Sequence, residues 1–271
     1  MATAAAGTGA QPLRMVQVTD THLYADPDGR LLGLNTRYSL EQVIDLVRSE
    51  RPPDLVVASG DLTHDGSAQA YHHVQEAFRR IAAPVYCLPG NHDETTTLHS
   101  CMNRAPFYSE RQAQLGNWRM IFLDSTQAGS EGGHLAGSEL DALDALLAAN
   151  PEQYTLVWLH HQPVPAGSRW LDSMAVDNPG DLFAVTDRYS GVRAIVWGHI
   201  HQHFAQQRKG VRLLATPSTC IQFLPGSERF ALDPVPPGYR WFDLHADGTF
   251  TTGVQRLQEI PGEIDPDARG Y

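Results

Sequence analysis

The apolar run "IVWGHIHQHF" (195–204) closes on His199, His201 and His203, three histidines at alternate positions. A strand built only to be buried does not end in that much imidazole. Imidazole nitrogen suits first-row metal ions, so matching donors are expected elsewhere in the chain. Asp20 and His22 follow "MVQV", and Asp61 follows "LVVASG". Asn91 and His92 follow "VYCLPG", and His160 and His161 follow "YTLVWL". Seven of these residues form the candidate ligand set: Asp20, His22, Asp61, Asn91, His160, His199 and His201. Seven donors exceed one closed tetrahedral site. Two ions sharing a carboxylate fit better, and ions about 3.5–4 Å apart are a recurring device for phosphoryl chemistry. The alternative, a polar cluster held by hydrogen bonds alone, leaves too many buried charges uncompensated.

Elements must bring these donors together. Residues 15–20, 54–61, 83–91, 118–125, 154–161 and 193–201 read as strands, short and apolar, each closed by Gly, Pro, Asp or His. Helical patterns fall between them at 39–50, 68–81, 138–150 and 181–189, the first with a capping box of Ser39 and Gln42. Alternating strands and helices predict an α/β fold with covered sheets, where ligands bind beyond the carboxyl ends of the strands. The period of two predicts that Asp20 and His22 share a face, as do His199 and His201, while His161 points away from His160. Gly60, Gly90 and Gly198 allow sharp turns beside the cluster. Residues 239–254 read as a C-terminal hairpin turning at Ala246-Asp247-Gly248. The expected organisation is a disordered leader (1–13), one domain (14–258) and an irregular tail (259–271).

Composition narrows the function. The chain has 271 residues, 42% hydrophobic and 19% charged, as a globular protein should. A net charge of −11 disfavours a nucleic-acid polymer as partner, because such affinity comes from neutralising phosphates. A small anion remains open if bound metal reverses the local field. No apolar run reaches the roughly 18 residues of a membrane span. Three cysteines without a CxxC pair argue against a disulfide framework and a thiolate site. The expected location is cytoplasmic, with no membrane partner, and a homodimer is compatible with the sequence.

Other residues are weighed beside the cluster. His72 and His73 lie on a helical pattern and read as ordinary helix residues, and Trp158 and Trp197 read as core. His64 and Asp65 follow Asp61 closely enough to touch its neighbours, and His203 could extend the alternation toward a substrate. Trp170, Leu171 and Met174 could wall a purine or tuck onto the core; both readings stay open.

Taken in order, "DTH" (20–22), "GD" (60–61), "GNHD" (90–93), a later His160 and "GHIH" (198–201) resemble the five blocks of the calcineurin-like metallophosphoesterases. The chain is most similar to their bacterial class III cyclic-nucleotide phosphodiesterases, and residues 216–248 extend the likeness toward the C-terminus. The resemblance implies a four-layer αββα sandwich of two mixed sheets flanked by helices. It implies that Asp20, His22, Asp61 and His201 hold one ion, and Asp61, Asn91, His160 and His199 the other. Iron is the expected metal, then manganese, and zinc or magnesium are also admitted. The expected reaction is hydrolysis of 3′,5′-cyclic AMP to 5′-AMP by a metal-bridging hydroxide, lowering the intracellular level of that messenger. Asp61 and His92 are the expected catalytic residues, and His22, Asp61, Asn91, His92 and His201 the expected substrate contacts. Glycerophosphodiester, 2′,3′-cyclic nucleotide or other phosphodiester hydrolysis is the nearest alternative, and a non-catalytic partner-binding scaffold a more distant one.

Overall fold

The structure, a computed structural model, describes residues 11–265. Nearly all of the expected leader, and the last residues of the expected tail, lie outside the described residues. The chain begins with β1 (Leu13–Val18), a ribbon of β2 (Arg30–Leu31) and β3 (Leu34–Asn35), and α1 (Thr36–Ser49). Then come β4 (Leu55–Ser59), α2 (Ala68–Arg79), β5 (Val85–Leu88), α3 (Thr95–Cys101) and β6 (Phe107–Tyr108). A second series follows: β7 (Gln112–Leu115), β8 (Trp118–Phe122), α4 (Gly137–Ala149) and β9 (Tyr154–Trp158). It continues through α5 (Arg169–Asp172), α6 (Pro179–Thr186), β10 (Val192–Trp197), β11 (Phe204–Arg208) and β12 (Val211–Ala215). A ribbon of β13 (Gln222–Phe223) and β14 (Leu232–Asp233) leads to the hairpin β15 (Gly238–Leu244) and β16 (Phe250–Arg256).

Two six-stranded sheets result, ordered β16-β15-β1-β4-β5-β6 and β11-β12-β10-β9-β8-β7. In the first, β1, β4, β5 and β6 are parallel, and the hairpin joins β1 antiparallel. In the second, β8, β9, β10 and β12 are parallel, with β7 and β11 antiparallel at the edges. Parallel neighbours need crossovers, so their carboxyl ends gather along one rim of each sheet.

Alternation along the strands builds the layers. Leu55 and Val57 of β4 face the second sheet, packing with Trp118, Leu156, Trp158 and Phe242. Val56 and Ala58 face the other way, beneath Val43, Ile44 and Val47 of α1 and Val74 and Phe78 of α2. Across the molecule, Val157, Ile195 and Trp197 pack under Leu143 and Leu147 of α4 and Leu182 of α6. Helix, sheet, sheet and helix stack in that order, the expected four-layer αββα sandwich with its C-terminal hairpin. Among the described residues no helix is long and apolar enough to cross a membrane.

A polar stitch joins the sheets near the rim. The Gln17 side-chain amide donates to Ser59 Oγ (2.7 Å) and to the Trp197 carbonyl (3.0 Å). Arg240, only 1% exposed, donates to the Ala215 carbonyl (2.7 Å) and Thr216 Oγ1 (3.2 Å). Burial pulls its guanidinium down to about 9.

Two local expectations are corrected. The first helix starts at Thr36, because the Asn35 side chain accepts the Tyr38 N–H at 2.8 Å. Ser39 is therefore no cap: it is buried one turn in and donates its hydroxyl to the Thr219 carbonyl at 2.6 Å. The strands also stop short of the polar residues, β1 at Val18, β4 at Ser59, β9 at Trp158 and β10 at Trp197. The donors stand in the turns beyond.

Phe242 meets Trp158 edge-on, ring centroids 5.6 Å apart, in the layer between the sheets. Phe242→Ala should lower unfolding stability by about 3–5 kcal/mol through the lost burial and the cavity it leaves, read from the urea midpoint.

Candidate metal centre

Five of the seven candidate ligands have left-handed backbone: Asp20 (φ 54°), His22 (46°), Asp61 (48°), His199 (62°) and His201 (48°). Each such non-glycine residue costs on the order of 1–3 kcal/mol and persists only where its surroundings over-determine it. Here the turns zip to one another. The Asp20 N–H donates to the Gly60 carbonyl (3.0 Å), His22 N–H to the Asp61 carbonyl (2.9 Å) and Leu23 N–H to the Leu62 carbonyl (3.1 Å). The Gly198 N–H donates to the His160 carbonyl at 3.2 Å. Asp20 and His22 do come together, with His201, while His199 groups with His160 and His161. Alternating left-handed residues bring them there, and the strand pleat expected to do so has already ended.

The donor atoms crowd one another. His160 Nε2 lies 3.3 Å from Asp61 Oδ2 and 3.9 Å from Asp20 Oδ1. His22 Nε2 is 3.7 Å from Asp61 Oδ2 and 3.4 Å from His201 Nε2, which is 3.5 Å from Asp20 Oδ1. Two donors each about 2.1 Å from one ion stand roughly 3.0–3.5 Å apart, so most of these separations suit ligands sharing a cation. Asp61 Oδ2, Asn91 Oδ1, His160 Nε2 and His199 Nε2 are buried without a hydrogen-bond partner. Buried polar atoms are rarely left so, and bound cations would satisfy them. The residues fit a binuclear metal centre.

Electrostatics agree. Burial works to lower His160, yet the negative charge of Asp61, 3.3 Å away, helped by Asp20, outweighs it and raises the imidazole to about 9. A field that holds a proton there will also hold a metal ion. Burial keeps His22 and His199 well below the ordinary histidine range, so both stay neutral, as ligands must. The far sides of two rings are anchored: His201 Nδ1 faces the Ile221 carbonyl at 2.9 Å, and His160 Nδ1 the Ser59 carbonyl at 3.0 Å. Those bonds place the proton on Nδ1 and leave Nε2 toward the cluster.

Close packing frames the ligands. A Cβ on Gly90 would sit 2.2 Å from Asp61 Oδ1, and Gly60 has φ 92° with His160 Nδ1 only 2.3 Å from where its Cβ would be. The His92 N–H donates to Asp61 Oδ1 at 2.9 Å, leaving Oδ2 to the cluster. The half-buried His92 ring meets His22 edge-on at 5.0 Å and stacks on His64 at 4.6 Å.

Sequence reasoning missed some of this. Asp93 accepts from the N–H groups of Leu62 (3.1 Å), Thr63 (3.1 Å) and Gly90 (3.0 Å), and from the Tyr71 hydroxyl (2.9 Å), locking the turns after β4 and β5 together. It stands inside "GNHD", but nothing in the sequence said where its oxygens would go. Strand alternation puts His161 on the face opposite His160, and the structure differs. The residue is buried beside His160 and His199, because alternation lapses once β9 ends at Trp158. His64 does touch the cluster, with its Nδ1 3.3 Å from that of His22. Asp65 accepts instead from the Ala25 N–H at 2.8 Å, and His203 is exposed. His72 is exposed on α2, and His73 is buried with its Nδ1 at the Tyr24 carbonyl. Leu171 is fully buried, while Trp170 packs on Phe223 at 4.9 Å, so that loop is tucked onto the core.

Comparison with known proteins gives the same picture. The family model for calcineurin-like phosphoesterases matches residues 13–203. The 3′,5′-cyclic adenosine monophosphate phosphodiesterase CpdA of Pseudomonas aeruginosa is 42% identical over 258 residues, covering 95% of this chain and 94% of that protein. CpdA of Escherichia coli K12 is 41% identical, covering 97% and 96%. A dimetal phosphatase from Danio rerio shares the fold at a TM-score of 0.70 and 15% identity, covering 92% of this chain and 98% of that one.

Gly90→Ala should push Asp61 out of place. The expected result is Mn²⁺ affinity reduced by about 10–100-fold by calorimetric titration, with an unchanged circular dichroism spectrum. Metal-stripped wild type should gain stability on adding Mn²⁺, about 2.7 kcal/mol at a hundredfold excess over Kd, seen as a rise in Tm.

Proposed function

The chain belongs to the calcineurin-like phosphoesterase family, and from that premise we propose that it is a dinuclear-metal phosphodiesterase hydrolysing 3′,5′-cyclic AMP to 5′-AMP. The carrying observation is a cluster of Asp and His donors around the buried, unpartnered Asp61 Oδ2, with Asn91 Oδ1 likewise buried and unpartnered, in a chain similar along 95% of its length to a cyclic AMP phosphodiesterase.

Asp20, His22, Asp61 and His201 would hold one ion, and Asp61, Asn91, His160 and His199 the other. Oxygen and imidazole donors without thiolate favour iron or manganese. When bound, the ions lower the pKa of water, so that a nucleophile exists at neutral pH, and neutralise charge gathering on the phosphoryl oxygens. The protein's part is placement. Asp61, fixed through Oδ1 by the His92 N–H, presents Oδ2 between the two donor groups. His22, Asn91 and His201 would contact the phosphate together with Asp61 and His92.

His92 is suited to the leaving group. Its main chain is tied to Asp61, while its half-buried ring stands at the edge of the cluster beside His22 and His64. There it can bond a phosphoryl oxygen or give a proton to the ribose 3′-oxygen, a poor leaving group unless protonated. By consuming an intracellular messenger, the protein would act in the cytoplasm and lower its level. Other phosphodiesters remain the competing substrates, since the donor cluster reads phosphate rather than the attached alcohol.

Wild type reconstituted with Mn²⁺ or Fe²⁺ should turn over cyclic AMP faster than p-nitrophenyl phosphate. Negligible cyclic AMP hydrolysis by a fully metallated sample would end the substrate assignment. His92→Ala should retain its metal and lose about 10²–10⁴-fold in turnover of cyclic AMP. The loss should be smaller on bis(p-nitrophenyl) phosphate, whose leaving group needs no proton. Asp61→Ala should instead deplete both ions, by elemental analysis.

A further inference from the structure

Three buried imidazole nitrogens among the described residues have no hydrogen-bond partner: His160 Nε2, His199 Nε2 and His161 Nε2. The first two belong to the proposed ligand set. The third has no role in the function argued so far. Burial without a partner forfeits hydration of that nitrogen, so a structure that keeps it there needs a compensating ligand.

His161 stands where such a ligand would be. It is 0% exposed, and its donor atom and those of His160 and His199 all lie within 4.8 Å of one another. The His161 ring centroid is 5.0 Å from that of His160 and 4.7 Å from that of His199. Its other edge is held on several sides. Nδ1 is 2.8 Å from Oγ of the fully buried Ser125, which also accepts the His161 main-chain N–H at 3.3 Å. Gly133 lies flat on it, so close that a Cβ there would be 2.6 Å from His161 Cγ. A ring anchored through Nδ1 has Nε2 aimed and ready, the arrangement His160 and His201 show with their carbonyl partners.

We propose that His161 is itself a metal-binding residue, donating through Nε2 to the ion held by Asn91, His160 and His199. The proposal rests on the dinuclear reading above. It raises the protein donors on that ion, with Asp61, from four to five. Five donors disfavour tetrahedral zinc and favour an ion that accepts five or six ligands, such as iron or manganese.

Co²⁺ loading tests this without reference to activity, because its visible absorption reports coordination number. His161→Phe keeps the ring volume and removes both nitrogens. It should bind one of two Co²⁺ ions about 100-fold more weakly in chelator competition, with an altered spectrum, while the other ion is retained. Two ions bound as in wild type, with the same spectrum, would overturn the proposal and leave the family's metal pair intact. A crystal structure of Co²⁺-loaded wild type decides the matter even if that variant does not fold. His161 Nε2 about 2.1 Å from an ion supports the assignment. Two ions on the other ligands with His161 out of reach refutes it alone, and a wild type that takes up no ion removes the dinuclear reading as well.

Discussion

Two carboxylates with almost no solvent exposure, Asp20 and Asp61, sit among imidazoles at the seam of two sheets. Burying charge at that density is unfavourable unless something compensates it. Protons on histidines do so in part, as the raised His160 shows. The orphaned oxygen and nitrogen atoms around Asp61 show that protons are not enough. Cations complete the balance, and the fold is organised to supply the donors they need.

That organisation has a conformational cost. Asp20, His22, Asp61, His199 and His201 all hold left-handed backbone, which few non-glycine residues adopt although Asp and His tolerate it better than most. The turns keep it by bonding to one another, and Asp93 fastens the turn after β4 to the one after β5. The Gln17 and Arg240 bonds tie the two sheets just behind. The core therefore does more than stabilise: it fixes the separation of two rims whose loops each hold only part of the site. Strain at the ligands and rigidity beneath them are two sides of one arrangement.

Much of this was legible beforehand. Strand runs such as "DLVVASGD" are short, apolar and ended by polar residues, and the structure makes this one β4, with Val56 and Val57 on opposite faces. Local signals were weaker guides where several competed. Ser39 and Gln42 satisfy a capping pattern, yet Asn35 caps the helix because tertiary packing draws Ser39 under the Thr219 carbonyl. Edge strands such as β11, largely exposed, carried no alternation to read.

By itself the sequence determined the types and order of the donors, the α/β alternation that sets them beyond strand ends, and the acidic balance that disfavours nucleic acid. These depend on residue chemistry and on periods that any chain segment carries locally. The tertiary structure alone decided which atoms face inward and which neighbours share the site. His161 and His64 join the cluster, and His203 does not, because past the last strand residue direction is set by turn dihedrals and long-range hydrogen bonds. No local period encodes those contacts: Asp20 meets His199 and Ser218 across about 180 and 200 positions of sequence, and only the packed sheets bring them together.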